Sequence, residues 1–200
     1  MERSFKSEIG RKMLHLSALL LLALYLIVKN ILLEGKPYAK EAALFVLMLF
    51  LLGSLIYEYL RLNLKWKLPL SELTRLRERN KHTGMVYMIS GMILSLAVFE
   101  ENIAFAAILM AIFGDFVVGI MHGARVVGFY SGQKKRKAYE LLIEFIVNFI
   151  VGIVILHNFW VIFLMALTAT VVEMLFDSED NLAIPVFAGA LGQVLYWLIK

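Results

Sequence analysis

The fold class that this sequence predicts is an all-α, polytopic transmembrane bundle of about seven spans, and three observations carry the prediction. Apolar residues make up 61% of the 200 residues and charged residues only 18%, against about half and about a quarter in ordinary soluble domains. The apolar excess is gathered into uninterrupted blocks divided by short charged segments, which is the pattern of membrane spans rather than of one large core. The basic residues, in turn, are concentrated in alternate connectors.

The apolar stretches are 13–33, 40–60, 83–99, 103–121, 139–156, 159–176 and 183–199. Each approaches the roughly 20 residues that cross a hydrocarbon core. Helix is the expected conformation, because lipid offers the backbone no hydrogen-bond partners. The first stretch follows a basic N-terminus but is too long for a cleaved signal. It also carries Leu24-Tyr25-Leu26 where a cleavage site would need small residues, so it reads as a retained span. The seventh opens with Ile184-Pro185, and proline fits a first helical turn. Spans and short connectors use nearly every residue, so 1–200 reads as a single membrane-embedded domain. The chain has no cysteine, which excludes disulfides, thiolate zinc sites and thiol catalysis.

Orientation follows from Lys and Arg. Arg3, Lys6, Arg11 and Lys12 precede the first stretch. Arg61, Lys65, Lys67, Arg75, Arg77, Arg79 and Lys81 lie around the second connector, and Arg125 with Lys134 to Lys137 around the fourth. Only Lys29, Lys36, Lys40 and Lys200 fall on the opposite side if the spans alternate. The positive-inside rule then places the N-terminus in the cytoplasm and the C-terminus outside.

Ionisable groups within spans cost roughly 2.5–3.5 kcal/mol each at the bilayer centre, so those present call for a cavity or a partner. The candidates are His15, Glu58, Asp115, Glu140, Glu144 and Glu173, with Asn148 as a neutral companion. Most fall near the cytoplasmic ends of their stretches, which points to a site opening to the cytoplasm rather than a path through the bilayer. Glu140, Glu144 and Asn148 recur every four residues and share one helical face. The alternative for Glu140 is a place at the interface beside Lys137. Gly114-Asp115 interrupts an apolar run. The glycine permits close approach, and the aspartate can bind a metal, accept a proton or bond a neighbouring helix.

The fourth connector, from His122-Gly123 through Gly128 and Gly132 to Lys134-Lys135-Arg136-Lys137, combines glycines with cations. That combination suits phosphate, although basic juxtamembrane loops also hold anionic lipid headgroups. The sixth connector, Asp177-Ser178-Glu179-Asp180-Asn181, is acidic, with Glu173 one turn before it. Hard oxygens of this kind suit Mg²⁺, which joins carboxylates to substrate phosphates; a solvated polar turn is the alternative. Basic glycine loops and carboxylates on one membrane face are what phosphoryl transfer requires. No Walker-type GxxxxGK[ST] loop is present.

Taken in order, several pieces resemble the polyprenol kinase family, which includes dolichol kinase, phytol kinase and a CTP-dependent diacylglycerol kinase. They are Arg11-Lys12 with His15, Arg79 through Thr83-Gly84 with Tyr87 and Gly91, Gly114-Asp115, Lys137-Ala138-Tyr139-Glu140, and Glu173 followed by Asp180-Asn181-Leu182 and Ile184-Pro185. The resemblance runs from Arg11 to Pro185 and implies a membrane kinase that transfers the terminal phosphoryl group of CTP to a lipid hydroxyl, with the acceptor expected to be a long-chain isoprenoid alcohol. It implies Mg²⁺ on Asp115 and Asp180, and a base at Glu173 or Glu140. The nucleotide would be held by Arg11, Lys12, His15, Gly114, Gly123, Lys135, Lys137 and Asn181. The expected partners are thus a nucleoside triphosphate and a membrane lipid alcohol, with no nucleic acid. The chain departs from the family pattern at Phe116-Val117-Val118 with His122, and at Ala138 and Leu141. These departures bear on the identity of donor and acceptor. The competing readings are a cytidylyltransferase that makes a CDP-lipid, and a non-catalytic transporter or scaffold.

Overall fold

A computed structural model describes residues 17–64, 82–126, 138–176 and 179–199, and the side chains within them except those of 118–126 and 138. These residues form seven helices and no strand: α1 Ala18–Ile27, continued by a π-helical turn Val28–Leu32, α2 Ala39–Leu62, α3 Gly84–Val98, α4 Glu101–Val126, α5 Ala138–Ile155, α6 Phe159–Leu175 and α7 Asp180–Ile199. Each helix overlaps one of the seven apolar stretches. By length and apolarity, α2 and α7 are able to cross a membrane, whereas α1 with its π turn, α3 and α6 are apolar but shorter. Seven helices therefore stand where seven spans were expected, and two of the described helices reach spanning length and composition.

The connections explain themselves locally. Gly35 takes a positive φ of 70° in the turn between α1 and α2, a conformation that L side chains resist. The side chain of Asn158 caps α6, its Oδ1 accepting from the amides of Trp160 at 3.0 Å and Val161 at 3.2 Å. Between α3 and α4 the chain turns within two residues. The freed Glu100 amide donates to Gln193 Oε1 of α7 at 2.7 Å.

Contacts between helices fix their directions. Tyr25 of α1 meets Phe105 of α4 edge-on, and Lys29 pairs with Glu101, so α1 and α4 run oppositely. Gly114 lies against Asn148, and Gly152 against Met110, which makes α4 and α5 antiparallel. Gly192 meets both Met165 and Ile103, which places the C-terminal half of α7 beside the starts of α4 and α6. In the middle is α4, whose residues are buried on nearly every side from Ile103 to Ile112, with Phe105 and Leu109 partly open. Its alanines at 104, 106, 107 and 111 let the surrounding helices approach closely.

The distribution of polarity is inverted. Phe45, Leu49, Leu52 and Ile56 of α2, Ile146, Ile150 and Val154 of α5, and Trp197 and Leu198 of α7 are exposed. Glu58, Asp115, Glu140, Glu144, Glu173 and Asp180 are buried. A water-facing surface rarely carries apolar area on this scale.

Two boundaries differ from the sequence expectation. The fourth helix runs past 121 to Val126 and takes in His122 and Gly123, because one glycine costs only about 1 kcal/mol in a helix and does not stop it. The seventh begins at Asp180 rather than 183, with the acidic residue at its positively polarised start. Pro185 consequently falls at the sixth helical position instead of the first turn. Having no N–H, it removes the helical donor from the Asn181 carbonyl. That carbonyl faces Gly91 of α3, where a Cβ would come within 2.8 Å of it. Glycine at 91 therefore allows the start of α7 to sink against α3.

Candidate metal centre

Three helices contribute one carboxylate each to a single point. Asp115 comes from α4, Glu173 from the last turn of α6 and Asp180 from the first residue of α7. Their carboxylate oxygens lie within 4.8 Å of one another, and the residues are 3%, 2% and 2% exposed. The short α6–α7 connection carries the chain from Glu173 back to Asp180, so two members of the cluster come from one turn. Asp115 is eleven residues short of the end of α4, about 16 Å along the axis. The cluster thus lies where α6 ends and α7 begins, beside α4 short of its end.

Electrostatics decides what such a cluster is for. Two unit negative charges 4.8 Å apart repel by about 3.5 kcal/mol at an effective dielectric of 20, and three pairs by about 10 kcal/mol. Repulsion of this size is relieved by protonation, by cationic side chains or by a bound cation. All the oxygens are hard donors, and the set suits Mg²⁺ far better than a softer metal. Within the cluster, Asp180 Oδ1 also accepts the Asn181 amide at 2.9 Å, which orients the carboxylate.

A polar seam approaches this centre along α5. Glu140, Glu144 and Asn148 are each no more than 1% exposed, so the face with four-residue spacing points wholly inward. Glu140 lies in the first turn of α5, and Lys137, beside which the interfacial alternative places it, is outside the described residues. Glu140 is not one of the three clustered carboxylates, so of the two residues considered as base, Glu173 is the one at the centre. Asn148 Oδ1 comes within 3.0 Å of where a Cβ on Gly114 would stand, next to Asp115 in the chain. The amide nitrogen of Asn148 donates to Thr170 Oγ1 of α6 at 3.4 Å. Among the described residues the side-chain oxygens of Asn148 and Asn181 have no hydrogen-bond partner, although both residues are buried. An unsatisfied buried acceptor costs about 1–3 kcal/mol, and such oxygens also occur away from the cluster, at Glu58 and Ser95.

The structure thus brings together Asp115, Glu173, Asp180, Asn181 and Gly114. Gly123 lies within α4, where its backbone is helical, and not in a glycine loop with free amides. Arg11, Lys12, His15, Lys135 and Lys137 lie outside the described residues. Glu58 takes no part in the cluster; it pairs with Arg61 one turn along α2, with Nη2 at 2.5 Å and Nε at 3.1 Å from Oε2. The i,i+3 spacing of that pair was visible in the sequence. In the sequence Arg61 serves only as a marker of orientation.

Comparison with protein-family profiles, with curated proteins and with solved structures gives no match.

Proposed function

We propose that this chain is a multi-pass membrane phosphotransferase that transfers the terminal phosphoryl group of CTP to the hydroxyl of a long-chain isoprenoid alcohol at the cytoplasmic face. The observation that carries the proposal is the buried cluster of Asp115, Glu173 and Asp180 inside a helical bundle whose exterior is apolar. The apolar outer faces favour seven helices seated in lipid. The bias of Lys and Arg to one set of connectors favours a cytoplasmic N-terminus. The carboxylates then lie toward the basic, cytoplasmic side, where a nucleotide arrives.

In this reading Asp115 and Asp180 hold Mg²⁺, with the resemblance to polyprenol kinases naming CTP as donor. The ion would neutralise the donor phosphates and polarise the transferring group. Glu173 takes the proton of the lipid hydroxyl as its oxygen forms a bond to the terminal phosphorus, while the bond from that phosphorus to the bridging oxygen breaks and CDP leaves. Lys135, Lys137, Arg11 and Lys12 supply cations for the phosphates, and His15 and Asn181 contact the nucleotide. Asp115 and Asp180 come from different helices, so the geometry depends on α4 and α7 keeping their packing.

The same groups would also serve a cytidylyltransferase, and the products separate the two. Purified protein in detergent is given γ-labelled CTP, Mg²⁺ and geranylgeraniol, phytol or dolichol. The expected result is label in the lipid with CDP released. Release of labelled pyrophosphate with an unlabelled CDP-lipid, when the corresponding lipid phosphate is supplied in place of the alcohol, would replace the kinase by the cytidylyltransferase. No turnover with CTP or ATP would favour a non-catalytic role.

A further inference from the structure

We infer that the side-chain carbonyl of Asn148 receives the hydroxyl group of the acceptor lipid and so selects an alcohol, an inference that rests on the phosphotransferase reading above. The argument begins with which way the amide faces. Thr170 Oγ1 spends its one proton on the Ala166 carbonyl at 3.0 Å, which leaves only lone pairs for Asn148. The group 3.4 Å from Thr170 is therefore the NH₂ of Asn148, and the carbonyl oxygen is the end turned to Gly114. Gly114 leaves that oxygen room, since a Cβ there would press on it at 3.0 Å.

Position then indicates the ligand. Thr170 precedes Glu173 by three residues on the same face of α6, and Gly114 precedes Asp115 on α4. Both helices run toward the carboxylate end, so Asn148 lies on the inner side of the cluster, toward the middle of the bundle. In the phosphotransferase reading the charged donor comes from the basic, cytoplasmic side. The hydroxyl of a lipid reaches them from the apolar side, where its chain lies. The oxygen waiting there is buried, fixed in direction and without a partner among the described residues. It is able to accept an O–H but offers nothing to an ether or an ester.

The test compares geranylgeraniol with its methyl ether in equilibrium binding to the detergent-solubilised protein, and measures Mn²⁺ binding on the same samples. Wild type is expected to bind the alcohol roughly tenfold more tightly than the ether. Asn148→Leu is expected to bind the two alike, with Mn²⁺ binding unchanged. Thr170→Val leaves the oxygen but frees the amide to turn, and is expected to reduce the preference by roughly threefold; it provides the reading if Asn148→Leu does not fold. A preference that persists in Asn148→Leu, or is missing from wild type, overturns the inference. So does loss of Mn²⁺ binding in Asn148→Leu, which would make Asn148 a cation ligand. An alcohol preference that depends on Asn148, in a protein that moves no label from CTP, would uphold the hydroxyl site and reject the kinase.

Discussion

At the end of the bundle where α3 turns into α4, three polar side chains serve the backbone or meet an opposite charge. Lys29 pairs with Glu101, Gln193 accepts the Glu100 amide at 2.7 Å, and Asn158 caps α6. At the other end Asp115, Glu173 and Asp180 converge on one another, with Glu140, Glu144 and Asn148 buried along the neighbouring face of α5. The first end follows the ordinary rules for stable helices. The second departs from them by concentrating like charges where they are hardest to solvate. Departures of this kind gather at functional sites, where stability is given up for chemistry. The two ends are built from the same seven helices, so the contrast reflects what each end does and not the fold class.

The comparison is broken most severely at the carboxylates. Asp115→Asn is expected to reduce phosphoryl transfer by about a thousandfold or more, and Asp180→Asn to do likewise. Each should leave the apparent Tm in EDTA equal to or higher than wild type, because a repelling charge has been removed. Activity with thermal unfolding on the same samples checks both halves, and wild-type turnover in Asp115→Asn would remove that residue from the mechanism.

Gly91 sharpens the comparison by acting on the centre from outside it. In Gly91→Ala the new methyl meets the Asn181 carbonyl at 2.8 Å and the Leu182 Cα at 3.1 Å. The start of α7 must move, and Asp180 with it. A stability loss of about 1–3 kcal/mol is expected, accompanied by a larger loss of activity than stability alone explains. Gly53→Ala on α2, where nothing lies within 4 Å, is the control and should leave both unchanged.

Smaller effects belong to the opposite end. Gln193→Leu should cost about 1 kcal/mol through the lost bond to the Glu100 amide, and Asn158→Ala about 1 kcal/mol through the lost cap. Both should retain full activity per folded molecule, measured by turnover normalised to a folded fraction. Lys29→Ala should change stability by less than about 1 kcal/mol, since its partner Glu101 is 37% exposed and such pairs are weak. Loss of activity in these variants without loss of fold would mean that the two ends are not separate in function.

Much of the helical architecture was legible because apolar runs and charged breaks declare themselves over many residues. The helix bounds diverge where one residue decides, at Gly123 within α4 and at Asp180 before Pro185. Asp115, Glu173 and Asp180 were legible one at a time, as acids where acids are costly. Their convergence was not, since no spacing along the chain encodes which turn of α4 faces the α6–α7 connection. Asn148 was visible as the third member of a four-residue series. Its orientation depends on Thr170 and Gly114 from two other helices, which sequence periodicity does not reach. Gly91 carried a resemblance, yet its close approach to Asn181 comes from a packing contact across the bundle.

The most direct test of the central claim is Mn²⁺ binding followed by electron paramagnetic resonance on the detergent-solubilised protein, with Mg²⁺ as competitor and CTP added last. The account predicts bound Mn²⁺ that Mg²⁺ displaces, that CTP perturbs, and that is lost in Asp115→Asn and in Asp180→Asn while both variants stay folded. Equal Mn²⁺ binding by wild type and the double variant would contradict it.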